Sequence, residues 1–378
     1  MEVSNNKLQR LHCSIKNYDW GQSCHESLVA RLFAMNYGSH VIDEDRSYAE
    51  FWMSTHVSGP SFLVLDDASE KRVTLKSWLL DNPSMLGQKI VEKWGGDLPF
   101  LFKVLSVEKT LSIQAHPDKE LAKILHKLHP DVYKDGNHKP EMALAVTDFE
   151  ALCGFVTLQE LKVVPTVPEV MELVGAENVN LVLQITDQDG EEKVKPILKT
   201  LFTEIMSATL FLNHVKLTPG EALFLGPNEP HAYIYGECIE CMATSDNAVR
   251  AGLTPKHRDV KTLCSMLTYK QGSPEILKGV PINPFVNRYI PPFEEFEIDC
   301  CVLPQGEIAV FPAVPGPSIF LVTQGEGIMN TESTKGYSIT EGGVLFVAAT
   351  TEISVTSASQ LHIYRTGVNS IFFQASCS

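Results

Sequence analysis

Most of this chain is written in strand-length pieces. Apolar segments end at Gly or Pro turns: Ser61–Leu65, Phe100–Ser106, Leu111–Ala115, Glu221–Leu225, Ser318–Thr323 and Val344–Ala348. Runs of roughly four to eight residues bounded this way fit antiparallel sheets closed into sandwiches or barrels. Three stretches carry a helical signal instead. Asp118 caps the first, with Leu121, Ile124, Leu125 and Leu128 at helical spacing. Thr157 and Glu160 form a capping box for the second, which Pro165 should end. The third carries Val194, Ile197, Leu198, Leu201, Phe202 and Ile205. The region 157–213 therefore reads as a helical insertion that interrupts one β-domain.

A weak internal repeat supports two related β-units. Leu217–Leu225 aligns with Ile339–Val347, so that Gly220 matches Gly342 and Phe224 matches Phe346. Each copy reads as a turn glycine followed by a buried strand, which two barrels or sandwiches would produce.

Composition narrows the function. The chain has 378 residues, 44% hydrophobic and 20% charged, which excludes disorder, a coiled coil and a fibre. Its 31 Lys and Arg face 46 Asp and Glu, a net charge of -15. That balance argues against non-specific binding to nucleic acid or anionic membrane, so an anionic substrate must meet a local cationic cluster. Met1 to Asn17 is polar and lacks the apolar core of a secretory signal. No apolar run approaches the roughly 20 residues a membrane helix needs. The cysteine count is nine, without framework spacing, which reads as free thiols in a reducing compartment, by default the cytosol.

The run Leu111 to Pro117 is the most informative for chemistry. Leu111, Ile113 and Ala115 alternate with Ser112, Gln114 and His116, which share one face of a strand. Just upstream, Leu98 to Leu105 is too apolar for a solvent edge and yet contains Lys103. A buried Lys costs several kcal/mol unless paired, so the two runs together read as a barrel lumen lined for a polar ligand. Gln114 and His116 are candidate metal ligands. Asn137 to Glu141 offers Glu141, with His138 as a rival, and Pro230 to Tyr233 offers His231. Such a mixed nitrogen and oxygen set suits zinc, with iron or manganese as alternatives. In the second repeat, Ile353 occupies the position of His231, so only the first barrel should bind metal.

Glu240 to Thr254 reads as a strand running into a polar loop that presents Arg250, a residue suited to bidentate binding of phosphate or carboxylate. Cys238 and Cys241 have the spacing of half a zinc site, but no second pair exists, and the segment reads as a strand with buried thiols. The remaining histidines, His56 among them, have no partner in sequence. Phosphate-binding glycine loops and a Gly-x-Ser-x-Gly elbow are absent.

Taken together these runs resemble the type I mannose-6-phosphate isomerase (phosphomannose isomerase) family of the cupin superfamily. The carrying segments are Asn17–Gly21, Tyr48–His56, Leu98–Ser106, Leu111–Lys119, Asn137–Met142, Ala151–Phe155, Pro227–Tyr233 and Ser245–Thr254. The resemblance implies a mainly β fold of two cupin-type barrels with a helical domain inserted in the first. The metal-binding catalytic cupin would span 1–156 plus 214–274, the insertion 157–213, and a C-terminal cupin without metal 275–378. It implies one zinc held by Gln114, His116, Glu141 and His231. It places the phosphosugar near Ser112, Lys103, Lys139 and Arg250, makes Asp246 and Glu240 cleft residues, and sets Tyr233, Trp20 and Glu50 around them. Two departures from the family pattern, Ser54 for Gly and Val57 for Pro, touch the cleft rim and no implied ligand.

The implied reaction interconverts mannose 6-phosphate and fructose 6-phosphate through a cis-enediol, feeding GDP-mannose synthesis. It needs a cation for the oxyanions on O1 and O2, a cationic anchor for the phosphate and a proton shuttle. Arg250 stands where the family has an active-site residue. Lys139 is a candidate shuttle, His138 a candidate for ring opening and Asp246 for proton relay. The expected partners are the two sugar phosphates, with no nucleic acid and no membrane, for a cytoplasmic monomer. The rival readings are a non-catalytic sugar-phosphate-binding cupin and a cupin metal-dependent dioxygenase.

Overall fold

The computed structural model describes residues 6–38, 42–64, 72–163, 167–186, 191–204, 208–252 and 257–374. Leu65, Pro165, Ile205 and Thr254, used in the sequence reading, lie outside these residues. The fold is mainly β, with one eleven-stranded sheet, an eight-stranded sheet paired with a four-stranded one, and a two-stranded ribbon.

The eleven-stranded sheet is built on two long neighbours, Phe100–Val107 and His231–Ala243, paired without a break from Gly236 opposite Val107 to Ala243 opposite Phe100. Glu50–Met53 and Glu141–Ala145 flank them. Side chains alternate across a strand, so this sheet has two chemically distinct faces. Phe100, Phe102, Val104, Met142, Leu144, Ile239 and Cys241 form one apolar face. They share a single buried cluster with Ile298, Ile319, Leu321, Val344, Phe346 and Tyr364 of the eight-stranded sheet. The opposite face carries Leu101, Lys103, Leu105, Glu141, Ala143, Glu240 and Met242 and lines the first lumen. Cross-strand partners such as Glu240 with Lys103 and with Ala143 set this register.

The eight- and four-stranded sheets enclose a second lumen filled by Phe311, Phe320, Val322, Leu345, Ile353 and Val355. The chain exchanges between the two sheet systems near its start. Leu8–His12 pairs with Val344–Val347 in the second, whereas Ser14–Lys16 pairs with Glu50–Met53 in the first. The repeat is real at the level of turns. Glu221 N bonds Thr218 O and Gly343 N bonds Thr340 O, with Gly220 at φ 88° and Gly342 at φ 76°. An i to i+3 bond with positive φ at the third residue is the type II turn, which favours glycine there. A Cβ on Gly342 would also lie 2.4 Å from Met35 Cβ.

Phe149–Phe155 and Leu212–Leu217 are adjacent antiparallel strands, and between them run the helices Leu158–Val163, Pro168–Val174, Ala176–Gln184 and Glu191–Glu204. Their Val170, Val174, Val179, Val182, Val194 and Leu198 pack in one cluster with Ile113 and Ala115. The helices thus back the strand that carries Gln114, from the face opposite Gln114. The capping box forms as read, with Thr157 N donating to Glu160 Oε2 at 2.9 Å. Asp118 caps Lys119–Leu128 through Glu120 N and Leu121 N. The stripe read for that helix is only half right: Leu125 is buried, but Ile124 and Leu128 are 54% and 63% exposed, and Ala122 takes the inner position. The helix lies at the rim, where a narrow apolar contact suffices. The sequence reading names no helix at Leu28–Tyr37, Leu75–Asp81, Gln88–Trp94 or Val260–Met266; Ser27, Thr74 and Asp259 cap three of them. Among the described residues, no helix is long and apolar enough to cross a membrane.

Candidate active site

Three of the four sequence-read ligands converge as a cluster. One ligand atom each from His116, Glu141 and His231, all buried, lie within 4.8 Å of one another. Sheet register brings them together. His231 and Arg250 both stand opposite Gln114, on strands either side of Ile113–Ala115, so Gln114, His231 and Arg250 share a face. Glu141 enters from the neighbouring strand opposite Met242.

The histidine chemistry fits a metal. His116 Nδ1 is 2.7 Å from Asn247 O and His231 Nδ1 is 3.1 Å from Glu229 O. A carbonyl only accepts, so each Nδ1 carries the proton and each Nε2 keeps its lone pair. Among the described residues both Nε2 atoms are buried without a hydrogen-bond partner, 3.2 and 3.4 Å from the Glu141 carboxylate. Burial pushes His116 down to about 4, which keeps its ring neutral. Burial opposes the charge of Glu141, but His116 and Lys139 hold its carboxyl well below the usual range. Two lone pairs and a carboxylate aimed at one point, with no proton between them, is the donor set of a divalent metal.

A second buried cluster lies on the same face of the sheet. Lys103 Nζ is 2.8 Å from Glu240 Oε2 and 3.5 Å from Glu50 Oε2, and lies over the Trp52 ring at 5.0 Å. Trp52 Nε1 donates to Glu50 Oε2 at 2.5 Å. Burial works against the Lys103 ammonium, yet Glu240 and Glu50 raise its pKa above the ordinary lysine value. Glu240 moves up, chiefly through burial and against the pull of Lys103. The lumen lysine singled out in the sequence is therefore already met by two carboxylates.

Of the other sequence-read residues, Lys139 touches the cluster directly, and His138 and Asp246 have partners of their own. Lys139 Nζ is 3.1 Å from Glu141 Oε1. His138 Nε2 is 2.8 Å from Glu295 Oε1, and His138 is not among the residues whose ligand atoms converge with Glu141. Arg250 is half-buried on its strand and burial lowers its pKa, with Tyr18 opposing. Asp246 is exposed, 3.4 Å from His56 Nε2, and that hydrogen bond holds its carboxyl below the usual range. Tyr233 is buried with no hydrogen-bond partner on its hydroxyl, and burial with Glu240 and Glu141 pushes its phenol well up. Trp20 stacks with Tyr18 at 5.7 Å and packs beside Tyr233's cluster. Ser112 is half-buried, just ahead of Ile113–Ala115.

Sequence reading missed several residues that hold the site. Asp135 accepts from Ser245 Oγ and Asp246 N, both at 2.8 Å, and Asn247 Nδ2 donates to Asp135 O at 2.7 Å. Asp135 thereby fixes the loop whose Asn247 carbonyl orients His116. Tyr18 lies within electrostatic reach of Glu50, Lys103, Asp246 and Arg250. His56, read as unpartnered, pairs with Asp246. The departure at Ser54 is absorbed locally, since its Oγ donates to Gly59 O at 2.9 Å and accepts from His56 N at 3.1 Å; Val57 is 78% exposed. Cys238 and Cys241 fall in different core clusters on opposite faces of one strand, so they hold no metal together.

Fold and site define a cupin-type protein of two barrels, with a mixed nitrogen and oxygen centre fit for one metal ion in the first. Residues 8–158 match the family model for phosphomannose isomerase type I, catalytic domain. Mannose-6-phosphate isomerase 1 of Arabidopsis thaliana is 54% identical over 98% of this chain and 96% of its own length. The chain belongs to the mannose-6-phosphate isomerase family and is an enzyme of that family. Among solved structures, mannose 6-phosphate isomerase bound with zinc and yttrium is similar at TM-score 0.75 and 26% identity, covering 96% of this chain and 100% of that one. A glutamate-to-alanine mutant of phosphomannose isomerase from Salmonella typhimurium is similar at TM-score 0.77 and 25% identity, covering 96% and 99%. Companion structures of the Salmonella protein replace a lysine, a histidine and an arginine. That lysine and histidine are as far apart in sequence as Lys103 and His116 are here, and the glutamate and arginine as far apart as Glu240 and Arg250.

Proposed function

We propose that this chain is a zinc-dependent aldose–ketose isomerase that interconverts mannose 6-phosphate and fructose 6-phosphate through a cis-enediol. The observation that carries the metal reading is the pair of buried, partnerless Nε2 atoms of His116 and His231 facing Glu141. Gln114, on the same face, completes the ligand set. A zinc ion held there supplies Lewis-acid stabilisation of the oxyanions that develop on O1 and O2.

The chain's own residues do the rest. Arg250 offers a planar fork to the phosphate or to the enediol, with Ser112 and Lys139 beside it. Lys103, fixed by Glu240 and Glu50, contributes a constant charge to the lumen and positions Glu240. Tyr233 and Trp20 wall the cleft and exclude water. Lys139 Nζ carries the proton that leaves C2 and returns at C1. His138 Nδ1 takes the O1 proton when the sugar ring opens, and Asp246, paired with His56, relays protons to solvent.

The same proposal divides the chain into a catalytic barrel of 1–156 plus 214–274, a helical insertion of 157–213 and a supporting barrel of 275–378, with Leu8–His12 lent to the supporting barrel's sheet. It takes the protein as a cytoplasmic monomer whose product feeds GDP-mannose synthesis. A coupled assay on mannose 6-phosphate tests the reading. Turnover that disappears on chelation and returns with zinc supports it. Binding without turnover would make the chain a sugar-phosphate-binding cupin, and oxygen consumption with bound iron would make it a dioxygenase.

A further inference from the structure

Among the described residues the second barrel offers no cluster of metal-ligating side chains, yet one of its carboxylates bonds a histidine of the first barrel that lies three residues before Glu141. Glu295 lies in the short connection between strands Val286–Tyr289 and Glu297–Leu303 of the second barrel. It is only 3% exposed, and its Oε1 is 2.8 Å from Nε2 of His138 in the first barrel, 157 positions away in sequence. Burial alone would raise the Glu295 carboxyl, but the hydrogen bond from His138 holds it below the usual range. Lys119 also faces it. An ionised carboxylate only accepts, so Nε2 of His138 carries the proton and a neutral ring keeps its lone pair on Nδ1.

Two further features separate this pair from a simple tie between barrels. First, only one ring nitrogen is fastened. The His138 side chain is 16% exposed, and among the described residues its Nδ1 makes no hydrogen bond, so the basic atom is the open one. Its neighbour in the chain, Lys139, touches Glu141, so the histidine belongs to the segment that borders the metal cluster. Second, the connection that carries Glu295 is stapled. Asn369 is fully buried, and its Nδ2 donates to Pro291 O at 3.0 Å, Phe293 O at 2.7 Å and Phe296 O at 3.0 Å. Phe296 is fully buried in the cluster shared by the two sheet systems. A carboxylate held this firmly behind one nitrogen of a histidine, with the other nitrogen open, is the arrangement that fixes a tautomer and stabilises the imidazolium when a proton arrives.

We propose that Glu295 is a positioning residue for the isomerisation: it fixes His138 as the Nε2–H tautomer, so that Nδ1 takes the substrate's O1 proton as the C1–O5 bond breaks and returns it to O5. The second barrel then takes part in the chemistry of the first. This rests on the isomerase reading. The test uses the full-length, zinc-loaded protein in the coupled assay on mannose 6-phosphate, together with nitrogen-15 NMR of the histidine rings. Absence of turnover in the unsubstituted protein would sink the isomerase reading, while the NMR would still report whether His138 is held as the Nε2–H tautomer.

With turnover established, Glu295→Gln is expected to lower kcat about 10- to 100-fold, a part of the roughly 10²–10⁴-fold that one acid–base group supplies. KM should stay within about twofold, with zinc content and Tm unchanged. Glu295→Asp, which keeps the charge and retracts it by one methylene, should fall between, and it serves if the Gln variant proves insoluble. In a His138→Gln background, Glu295→Gln should cost nothing more, since the two act as a unit. A Glu295→Gln kcat within twofold of the unsubstituted protein, a loss that merely follows lost zinc, or additive losses in the double variant would each overturn the proposal.

Discussion

The two barrels present the same scaffold with opposite solutions for polar groups in a lumen. In the second, the inward face is Phe311, Phe320, Leu345, Ile353 and Val355, and its inward charges are closed on themselves. Asp299 receives Arg288 at 2.7 Å and Arg365 at 2.7 Å, and Arg365 Nε donates to Ser318 at 2.9 Å. In the first, Lys103, Glu240 and Glu50 are likewise closed, but His116 and His231 are left with buried lone pairs and no donor. A buried, unsatisfied polar atom costs about 1–3 kcal/mol, so it persists where something outside the chain completes it. Charge alone does not mark the reactive lumen, since both have it. What differs is whether the hydrogen-bonding ledger is complete.

The most drastic way to break this comparison is to remove one side of it. Truncation after residue 274 uncovers the face of Phe100, Phe102, Met142 and Ile239 and leaves Leu8–His12 without its sheet. The expected result is insoluble or zinc-poor protein by solubility and elemental analysis; a soluble, fully active fragment would show that the second barrel is dispensable. Next come matched substitutions at equivalent positions. His231→Ala should lose the metal and about three orders of magnitude or more in kcat, because one missing ligand opens the shell. Ile353→Ala should cost about 2–5 kcal/mol of stability by denaturant titration while zinc stays bound.

The two closed ion clusters give a finer contrast. Lys103→Met strands the buried Glu240 and Glu50 and should destabilise by about 3–5 kcal/mol, whereas Arg365→Met leaves Asp299 paired with Arg288 and should cost less. Only Lys103→Met should also lower kcat/KM measured on folded protein; equal kinetics for the two would return Lys103 to a purely structural role. The pH dependence of unfolding sharpens the same contrast. The Glu295 carboxyl is lowered in the folded state, so its contribution is present above the ordinary glutamate value of 4.5 and is lost as pH falls through the lowered one. Lys103 is raised, so its contribution is complete below the ordinary 10.5 and is lost only as pH rises through the raised value. Urea midpoints should therefore fall in acid as the Glu295 contribution is lost, and Glu295→Gln should make that fall shallower. The smallest effect concerns a feature shared by neither lumen: Asp118→Ala removes a helix cap and should cost about 1 kcal/mol with unchanged zinc affinity.

What could be read in the sequence was what depends on neighbours. The turn glycines Gly220 and Gly342, the alternation of Ser112, Gln114 and His116, and the caps at Asp118 and Thr157 are set by contacts a few residues long. Lys103 announced itself by being out of place in an apolar run. What escaped reading is long-range. Asp135 meets Asp246 across 111 positions, and Glu295 meets His138 across 157. No periodicity encodes such partners; sheet register and the packing of one barrel on the other create them. The exchange of Leu8–His12 into the second sheet escaped for the same reason, because a strand's pattern fixes which face is buried and not which sheet receives it.

The account stands on a metal centre in one barrel and none in the other. Elemental analysis of the purified protein, run beside the mannose 6-phosphate assay before chelation, after chelation and after zinc is restored, addresses this directly. The prediction is one zinc per chain, activity that falls and returns with it, and the same stoichiometry in Ile353→Ala but none in His231→Ala. Full activity in protein shown to be free of metal would contradict it.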